Sequence, residues 1–185
     1  MTEPALLAAI DLGSNSFRLL IARTSGDGAT PSVRAIDSVK RSVRLAAGLD
    51  SERRLNAESR MRGLEALSVF SDRLRAFAPQ AVRAVATNTL RVAVNAADFL
   101  ADAQAVLGYP IEVISGHEEA RLIWVGASHA IGDDQRRLVI DIGGGSTECI
   151  LGVQEAPLML DSIDVGCVSA TLEYFGRGVV DERAF

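Results

Sequence analysis

The sequence predicts an α/β fold in which a mixed β-sheet is flanked by helices, and three observations support it. The composition is that of a globular protein, with 48% hydrophobic, 23% charged and 5% aromatic residues. Short apolar runs alternate along the chain with segments of helical periodicity. One unit occurs twice, at residues 6–22 and 137–152: an apolar strand ending in Asp, a glycine-containing polar turn and a second strand. These features favour an α/β domain over a disordered or fibrous chain.

The first third of the chain is predicted to form three strands and one long helix. Residues 6–10 and 17–22 are apolar runs that flank a tight polar turn, and a third strand is expected within residues 33–43. Between residues 56 and 77, apolar residues recur at three- and four-residue steps, as they do on the buried face of a helix. Pro79 is expected to stop this helix.

Shorter elements are predicted after it. Residues 81–86 and 111–114 are short buried strands, and the stretch between them is helical up to Leu107 with a break near Asn95. A further helix begins after Gly116. Four more elements are expected in the remainder, namely strands at 137–142, 147–152 and 157–165 and the start of a helix at 168–175.

The repeated strand–turn–strand unit suggests two related lobes. A lobe that opens with such a unit should continue with further strands and helices, and the second copy comes late in the 185 residues. We therefore expect a first lobe at residues 1–124 and an incomplete second lobe at residues 125–185.

Charge and cysteine usage exclude several classes of protein. The formal net charge is −5 and the basic residues are scattered, so a nucleic-acid polymer is not the expected partner. A small polyanion remains compatible, because backbone N–H groups and metal ions can neutralise phosphate. Cys149 and Cys167 are predicted to be reduced core thiols. With no signal peptide and no apolar run of transmembrane length, a cytoplasmic protein without integral membrane association is expected.

Each turn of the repeated unit combines residues suited to binding an anion. Glycine lets the backbone approach a phosphate closely, and consecutive N–H groups with Ser or Thr hydroxyls can surround it. An Asp at the end of an apolar strand needs a matching cation, and Asp11 and Asp141 facing each other across a cleft would hold Mg²⁺ through its waters. The predicted phosphate-binding residues are Gly13, Ser14, Asn15 and Ser16 in the first turn and Gly143, Gly144, Gly145, Ser146 and Thr147 in the second.

Similar short motifs also occur in ordinary hairpins and in sites of other kinds. A single turn of this type is more often a hairpin in which Asp suits the turn geometry, but the occurrence of a pair favours function. Residues 143–147 lack the Lys of a P-loop, and no dinucleotide-binding Gly-x-Gly-x-x-Gly follows a strand. His117 and Glu118 begin like a zinc-protease motif, but Arg121 stands where the second His would be needed.

Five blocks follow one another along the chain: Ala9-Ile-Asp-Leu-Gly-Ser-Asn-Ser-Phe-Arg18, Ala86-Thr-Asn-Thr-Leu-Arg91, Ile114-Ser-Gly-His-Glu-Glu-Ala-Arg-Leu-Ile123, Val139-Ile-Asp-Ile-Gly-Gly-Gly-Ser-Thr-Glu148 and Gly166-Cys-Val168. Taken together and in this order, they resemble the exopolyphosphatase/guanosine pentaphosphate phosphohydrolase (Ppx/GppA) family, and match the N-terminal portion of its longer proteins. That family belongs to the superfamily of actin, heat-shock chaperones and sugar kinases. The resemblance implies a ribonuclease H-like, actin-like ATPase lobe with a mixed sheet and flanking helices, followed by the start of a second similar lobe.

The resemblance also implies a reaction and the residues that carry it. Glu119 would be the catalytic base that activates water, Glu148 a second essential acid and Arg91 a phosphate-binding residue. The substrates would be linear polyphosphate, guanosine pentaphosphate or the tetraphosphate, with Mg²⁺ as cofactor and a homodimer as a possible assembly. Simpler roles remain open, since Glu119 could serve only the helix dipole and Glu148 could be a solvent-facing strand residue.

Several neighbouring residues and two other functions also remain open. Arg18 is expected to be a surface side chain, Trp124 a core residue, and Thr87 and Asn88 either helix caps or substrate contacts. An ATP-dependent small-molecule kinase would share the paired phosphate hairpins. A non-catalytic alarmone- or nucleotide-binding module, or an inactive fragment, would share them as well.

Overall fold

The first lobe is built on a five-stranded sheet. The computed structural model describes residues 5–25, 32–132 and 134–175. The sheet has the order β3-β2-β1-β4-β5, with antiparallel pairing in β1–β2 and β2–β3 and parallel pairing in β1–β4 and β4–β5, which confirms the predicted mixed sheet. Its strands are β1 (Ala5–Leu12), β2 (Ser16–Ser25), β3 (Ser32–Ser42), β4 (Ala81–Ala86) and β5 (Ile111–Val113).

Two helices cover one face of this sheet. Helix α1 (Ala57–Phe77) begins where the Asn56 side chain accepts the N–H of Ser59 at 2.8 Å. It ends at Ala78, one residue before the predicted stop, in the left-handed conformation with φ 47°. Helix α1 packs against α3 (Ala96–Leu107). Their buried residues and the inward side chains of β1 and β2 form the main core, in which each large apolar side chain contributes about 1.5–3 kcal/mol.

The predicted helix break near Asn95 is confirmed and has a clear cause. Short helix α2 (Asn88–Val92) ends three residues before α3 begins. Asn95 is buried in the gap, where its Oδ1 accepts the N–H of Leu55 at 2.8 Å and its Nδ2 donates to the carbonyl of Leu55 at 3.1 Å. These bonds to a distant segment hold the chain out of the helical path.

The second lobe contributes a three-stranded antiparallel sheet, ordered β6-β7-β8. Helix α4 packs on it through Trp124 and Ala120, which meet Ile150 in a small second core. Trp124 is fully buried, as predicted, and a Cβ on Gly152 would lie 2.3 Å from its ring. The elements are α4 (Gly116–Ile131), β6 (Arg136–Ile142), β7 (Thr147–Val153), β8 (Ala156–Ile163) and α5 (Cys167–Phe175).

The two hairpins that open the lobes share one register. Asp11 of β1 pairs with Arg18 of β2, and Asp141 of β6 pairs with Glu148 of β7. The repeat inferred from the sequence therefore extends to the pairing of individual residues. The predicted lobe boundary after Trp124 falls within α4, which carries the chain from one lobe to the other.

One expectation about the cysteines was wrong. Both are free thiols, but Cys167 is exposed at the start of α5 and Cys149 is half-buried in β7, so neither is a core residue. Cys167 follows a turn in which the chain leaves the sheet, so its apolar neighbours do not enclose it. In the described parts of the chain, no helix has the length and hydropathy needed to span a membrane.

Candidate active site

The turns of the two hairpins face a common cavity of about 500 Å³. We call residues 13–15 loop 1 and residues 143–146 loop 2. Most residues predicted from the two turns line this cavity, and Glu119 joins them from the first turn of α4. The full lining is Asp11, Gly13, Ser14, Asn15, Ser16, Arg18, Thr87, Glu119, Asp141, Ile142, Gly143, Gly144, Ser146 and Cys167.

Loop 1 is anchored from its outer side by the segment that follows β3. The carbonyl of Asn15 accepts N–H bonds from Val43 at 3.0 Å and Arg44 at 2.8 Å, and the carbonyl of Ser14 accepts from Ala46 at 2.9 Å. Three bonds from one segment hold the loop carbonyls in place. The shape of loop 1 is therefore fixed by residues well beyond its own hairpin.

Loop 2 is anchored differently, by the start of α5. The carbonyl of Gly143 accepts the N–H of Cys167 at 2.9 Å, and that of Gly144 accepts the N–H of Val168 at 2.9 Å. Gly166 allows this close approach, since a Cβ there would lie 2.5 Å from both Gly144 C and Gly145 N. First-turn N–H groups of α5, which lack partners within their own helix, are thus used on loop 2.

The two loops touch each other, and glycine makes the contact possible. A Cβ on Gly144 would lie 3.0 Å from Ser14 Cβ and 3.2 Å from Asn15 N, and a Cβ on Gly145 would lie 2.4 Å from Asn88 Oδ1. On the first-lobe side, Thr89 Oγ1 hydrogen-bonds to Ser14 Oγ at 2.8 Å. The glycines of loop 2 therefore serve contact between lobes as well as access for a ligand.

Asp11 and Asp141 line the same cavity and interact electrostatically. Desolvation by the cavity walls raises the pKa of Asp11 to about 6; nearby Arg18 opposes this rise and the charge of Asp141 adds to it. Two carboxylates that repel each other across one cavity are a donor set that fits a divalent cation. No cluster of three or more potential ligands occurs among the described residues. Mg²⁺ suits such a site, because it commonly takes one or two carboxylates and keeps several waters.

Glu119 lies in an environment that lets its carboxyl exchange a proton near neutral pH. Burial raises the pKa of Glu119 to about 7, the hydrogen bond from Arg91 lowers it, and the charge of Glu148 raises it further. Arg91 Nη1 donates to Glu119 Oε2 at 2.9 Å and to the carbonyl of Ile114 at 3.0 Å. The two side chains are only 18% and 17% exposed, so the ion pair is well shielded. Glu119 is thereby held in one orientation at the edge of the cavity.

Glu118, its neighbour, has a different setting. It accepts two hydrogen bonds from Arg121, from Nε at 2.7 Å and from Nη2 at 2.8 Å, and these bonds lower the pKa of Glu118 to about 2. Arg83 lies 3.6 Å away as a further partner. Glu118 is thus an ionised surface residue, so the two adjacent acids of the helix N-terminus differ sharply in their affinity for a proton.

Glu148 is not the solvent-facing strand residue that was one alternative. It is 1% exposed, and Ser162 Oγ donates to its Oε1 at 2.8 Å. It does not line the cavity directly, but its charge acts on Glu119. Glu148 therefore lies just behind the cavity wall, hydrogen-bonded to the neighbouring strand β8 of its own sheet.

Several of the remaining predicted residues have structural partners. Thr147 Oγ1 donates to the carbonyl of Val165 at 2.6 Å, and Gly145 lines a cavity on the far side of the loop contact. Arg91 is paired with Glu119 and does not line the cavity between the two loops. Thr87 occupies the N-cap position of α2 without a side-chain capping bond and faces the cavity.

Arg18 and Cys167 line the cavity although the sequence motifs did not place them there. A signal for Arg18 was present, because it occupies in the first hairpin the position that Glu148 occupies in the second. Cys167 belongs to the short block Gly166-Cys-Val168, but its place at the cavity depends on how α5 docks onto loop 2.

Solved structures and a protein family both match this chain. It aligns with an exopolyphosphatase-like protein at 32% identity over 92% of this chain and 53% of the other, with TM-score 0.84. An exopolyphosphatase from Cytophaga hutchinsonii is 31% identical over 87% and 51%, with TM-score 0.79. The PPX-GPPA enzyme of Aquifex aeolicus is 29% identical over 92% and 56%, with TM-score 0.78.

The chain spans about half the length of these solved relatives. Their high structural similarity confirms the predicted α/β fold of the actin-like ATPase type. The match to the family extends over residues 20–185 and so includes Glu119 and loop 2. By this match and by its identity to the exopolyphosphatase-like protein, the chain belongs to the Ppx/GppA phosphatase family.

Proposed function

We propose that the intact protein is a Mg²⁺-dependent phosphohydrolase that releases the terminal phosphate of linear polyphosphate or guanosine pentaphosphate by attack of water. The observation that carries this proposal is Glu119, whose carboxyl has a pKa of about 7 at the edge of the cavity between the two loops. Relatives that bear the name exopolyphosphatase support the same class of reaction.

Glu119 suits the role of general base. A base works best when its pKa lies near the working pH, because it is then both available and able to take up a proton. Arg91 fixes the orientation of Glu119, and an oriented carboxylate can accept the proton of a water that attacks phosphorus. We accordingly propose that Arg91 orients the base and also favours binding of the terminal phosphate.

The two loops are proposed to hold the terminal phosphoryl group. Gly13, Ser14 and Asn15 in loop 1 and Gly143 and Gly144 in loop 2 line one cavity, so backbone N–H groups can approach the anion from both lobes. Ser16 and Ser146 add hydroxyls to the lining of the same cavity, and Thr147 is proposed to support loop 2 through its bond to the carbonyl of Val165. A metal ion held by Asp11 and Asp141 would supply neutralisation of charge on the phosphoryl oxygens.

Glu148 is proposed to assist from behind the cavity wall. Its carboxylate is buried, hydrogen-bonded to Ser162 and close enough to raise the pKa of Glu119. By keeping the proton affinity of Glu119 high, it favours removal of a proton from water. This assigns to Glu148 an electrostatic role that does not require contact with substrate.

The adjacent acids provide a matched test in the intact protein. We expect Glu119→Gln to lower phosphate release from linear polyphosphate by about 10²–10⁴-fold, the usual contribution of a general base. Glu118→Gln changes an exposed ion pair and should stay within about threefold of wild type. Phosphate release is measured without ATP or any acceptor, which excludes transfer by a kinase. Undiminished activity in Glu119→Gln would remove it from the role of base.

A further inference from the structure

Asn88 is a buried amide at the junction of the two lobes. It begins α2, is 7% exposed, and its Oδ1 faces Gly145 of loop 2 so closely that a Cβ on the glycine would lie 2.4 Å away. Next to it, Thr89 bonds to Ser14 of loop 1. The first turn of α2 therefore touches both loops, although Asn88 does not line the cavity between them.

Asp164 is its partner from the other lobe. Asn88 Nδ2 donates to Asp164 Oδ1 at 3.0 Å, across 76 positions of sequence. Asp164 lies between β8 and α5, a segment that also supplies Gly166 and Cys167 against loop 2. The bond joins the lobe that carries loop 1 to the segment that shapes loop 2.

We propose that Asn88 and Asp164 form a latch between the lobes that fixes the distance between the two phosphate loops. Both are positioning residues, since neither lines the cavity that contains Glu119. A hydrogen bond to a carboxylate is stronger than one between neutral groups, and a buried amide donor that loses its partner is costly. Only the effect of the latch on catalysis rests on the proposed hydrolytic function. The effect of the latch on the spacing of the loops does not depend on that function.

The contact also explains why Asn suits position 88 better than an acid would. An isosteric carboxyl at this position would face the carboxylate of Asp164 at hydrogen-bond distance, so the lobes would be pushed apart. Exchanging the two residue types restores one amide and one carboxylate, with the donor now on the second lobe. Such an exchange keeps the size of both side chains and tests the bond itself.

The experiment uses four variants of the intact protein: Asn88→Asp, Asp164→Ala, the exchange Asn88→Asp/Asp164→Asn, and the control Glu155→Gln. Glu155 is an exposed residue in the turn between β7 and β8, at the end of that sheet opposite loop 2. Affinity for inorganic triphosphate with Mg²⁺ is measured by calorimetry, and KM and kcat are measured on linear polyphosphate. Thermal melting identifies any variant that fails to fold.

We expect Asn88→Asp to weaken triphosphate binding and raise KM by about tenfold, as loss of a charge-assisted hydrogen bond would do, with a smaller change in kcat. The exchange should recover most of that loss, Asp164→Ala should fall between them, and Glu155→Gln should match the wild type.

Wild-type binding in Asn88→Asp, or an exchange variant no better than the single change, would overturn the latch. If Asn88→Asp does not fold, the binding and kinetic data of Asp164→Ala decide the test, because Asp164 is exposed. If the wild type binds triphosphate without hydrolysing polyphosphate, the proposed function fails while the binding data still judge the latch.

Discussion

The two hairpins that open the lobes have the same register but differ in charge and in support. Each places an aspartate opposite a charged residue, which is Arg18 beside Asp11 and Glu148 beside Asp141. Loop 1 is held by backbone N–H groups that follow β3, whereas loop 2 is held by the first N–H groups of α5. The two copies of one motif are thus held in place by unrelated segments of the chain.

Because of this difference, the two hairpins contribute differently to the site. Arg18 opposes the rise in the pKa of Asp11, whereas Glu148 raises the pKa of Glu119. Arg18 therefore offsets part of the cost of ionising Asp11, which helps that carboxylate to bind a cation, whereas the charge in the second hairpin raises the proton affinity of a nearby acid. If the second hairpin were an identical copy of the first, both aspartates would face the same charge and this contrast would be absent.

Among changes within the two hairpins, the largest effect should come from removing the paired carboxylates. We expect Asp11→Asn and Asp141→Asn each to reduce phosphate release by about 100-fold at fixed Mg²⁺, since ligand-sphere changes of this kind cost at least 10–100-fold. Asp141→Asn should need more Mg²⁺ for half-saturation than Asp11→Asn, because its remaining ligand, Asp11, lies beside the positive charge of Arg18, whereas the ligand left in Asp11→Asn, Asp141, is paired with the negative Glu148. Metal titrations of activity measure both quantities.

A surface aspartate serves as the control for these variants. Asp102 forms an exposed ion pair with Arg60 at 3.0 Å, so Asp102→Asn should leave the metal requirement unchanged. Equal metal requirements for the two cavity variants would show that the opposed charges at positions 18 and 148 do not matter for the cation. An unchanged requirement in both would reject the proposed metal site.

A smaller effect is expected from disturbing the support of loop 2. Gly166→Ala places a methyl group 2.5 Å from backbone atoms of Gly144 and Gly145, which cannot rotate away. Overpacking of this kind costs about 1–3 kcal/mol of stability. Gly126→Ala, where nothing lies within 4 Å, should be neutral or stabilise α4 by up to about 1 kcal/mol. Chemical denaturation of both variants, with activity measured alongside, makes the comparison.

Equal stability of the two glycine variants would contradict the tight docking of α5 on loop 2. The corresponding feature of loop 1 lies elsewhere, in the bonds from Val43, Arg44 and Ala46, and no glycine contact equivalent to Gly166 is needed there. Gly166→Ala should therefore affect the second hairpin while the core around β1 and β2 keeps its stability.

Much of the fold could be predicted from the sequence because its signals are local. The period of apolar residues located α1, and the break at Asn95 could be anticipated from a residue that disfavours a helix interior. The paired Asp–turn units located both hairpins and most residues that line the cavity. Such patterns depend on neighbours within a few positions, and sequence displays them directly.

Contacts between distant segments could not be predicted in the same way. Arg91 was expected to bind phosphate, yet its partner Glu119 lies far along the chain and the sequence does not show that the two side chains meet. The burial of Glu148 depends on Ser162 of a different strand, and the exposure of Cys167 depends on the docking of α5. These features arise from tertiary packing between segments that are separated along the chain.

The smallest effect is a shift in pH dependence, and it tests whether Glu148 acts through Glu119. Hydrolysis by a general base needs ionised Glu119, so kcat/KM should rise with pH through about 7 in the wild type. Because the charge of Glu148 raises the pKa of Glu119, Glu148→Gln should move this midpoint to lower pH. Arg91→Gln removes a hydrogen bond and a positive charge that lower the same pKa, so its midpoint should move to higher pH. The proposal requires the midpoints of the two pH profiles to shift in opposite directions. If the midpoint of Glu148→Gln stays where it is in the wild type, Glu148 does not act on Glu119. The second hairpin would then lack its proposed part in catalysis.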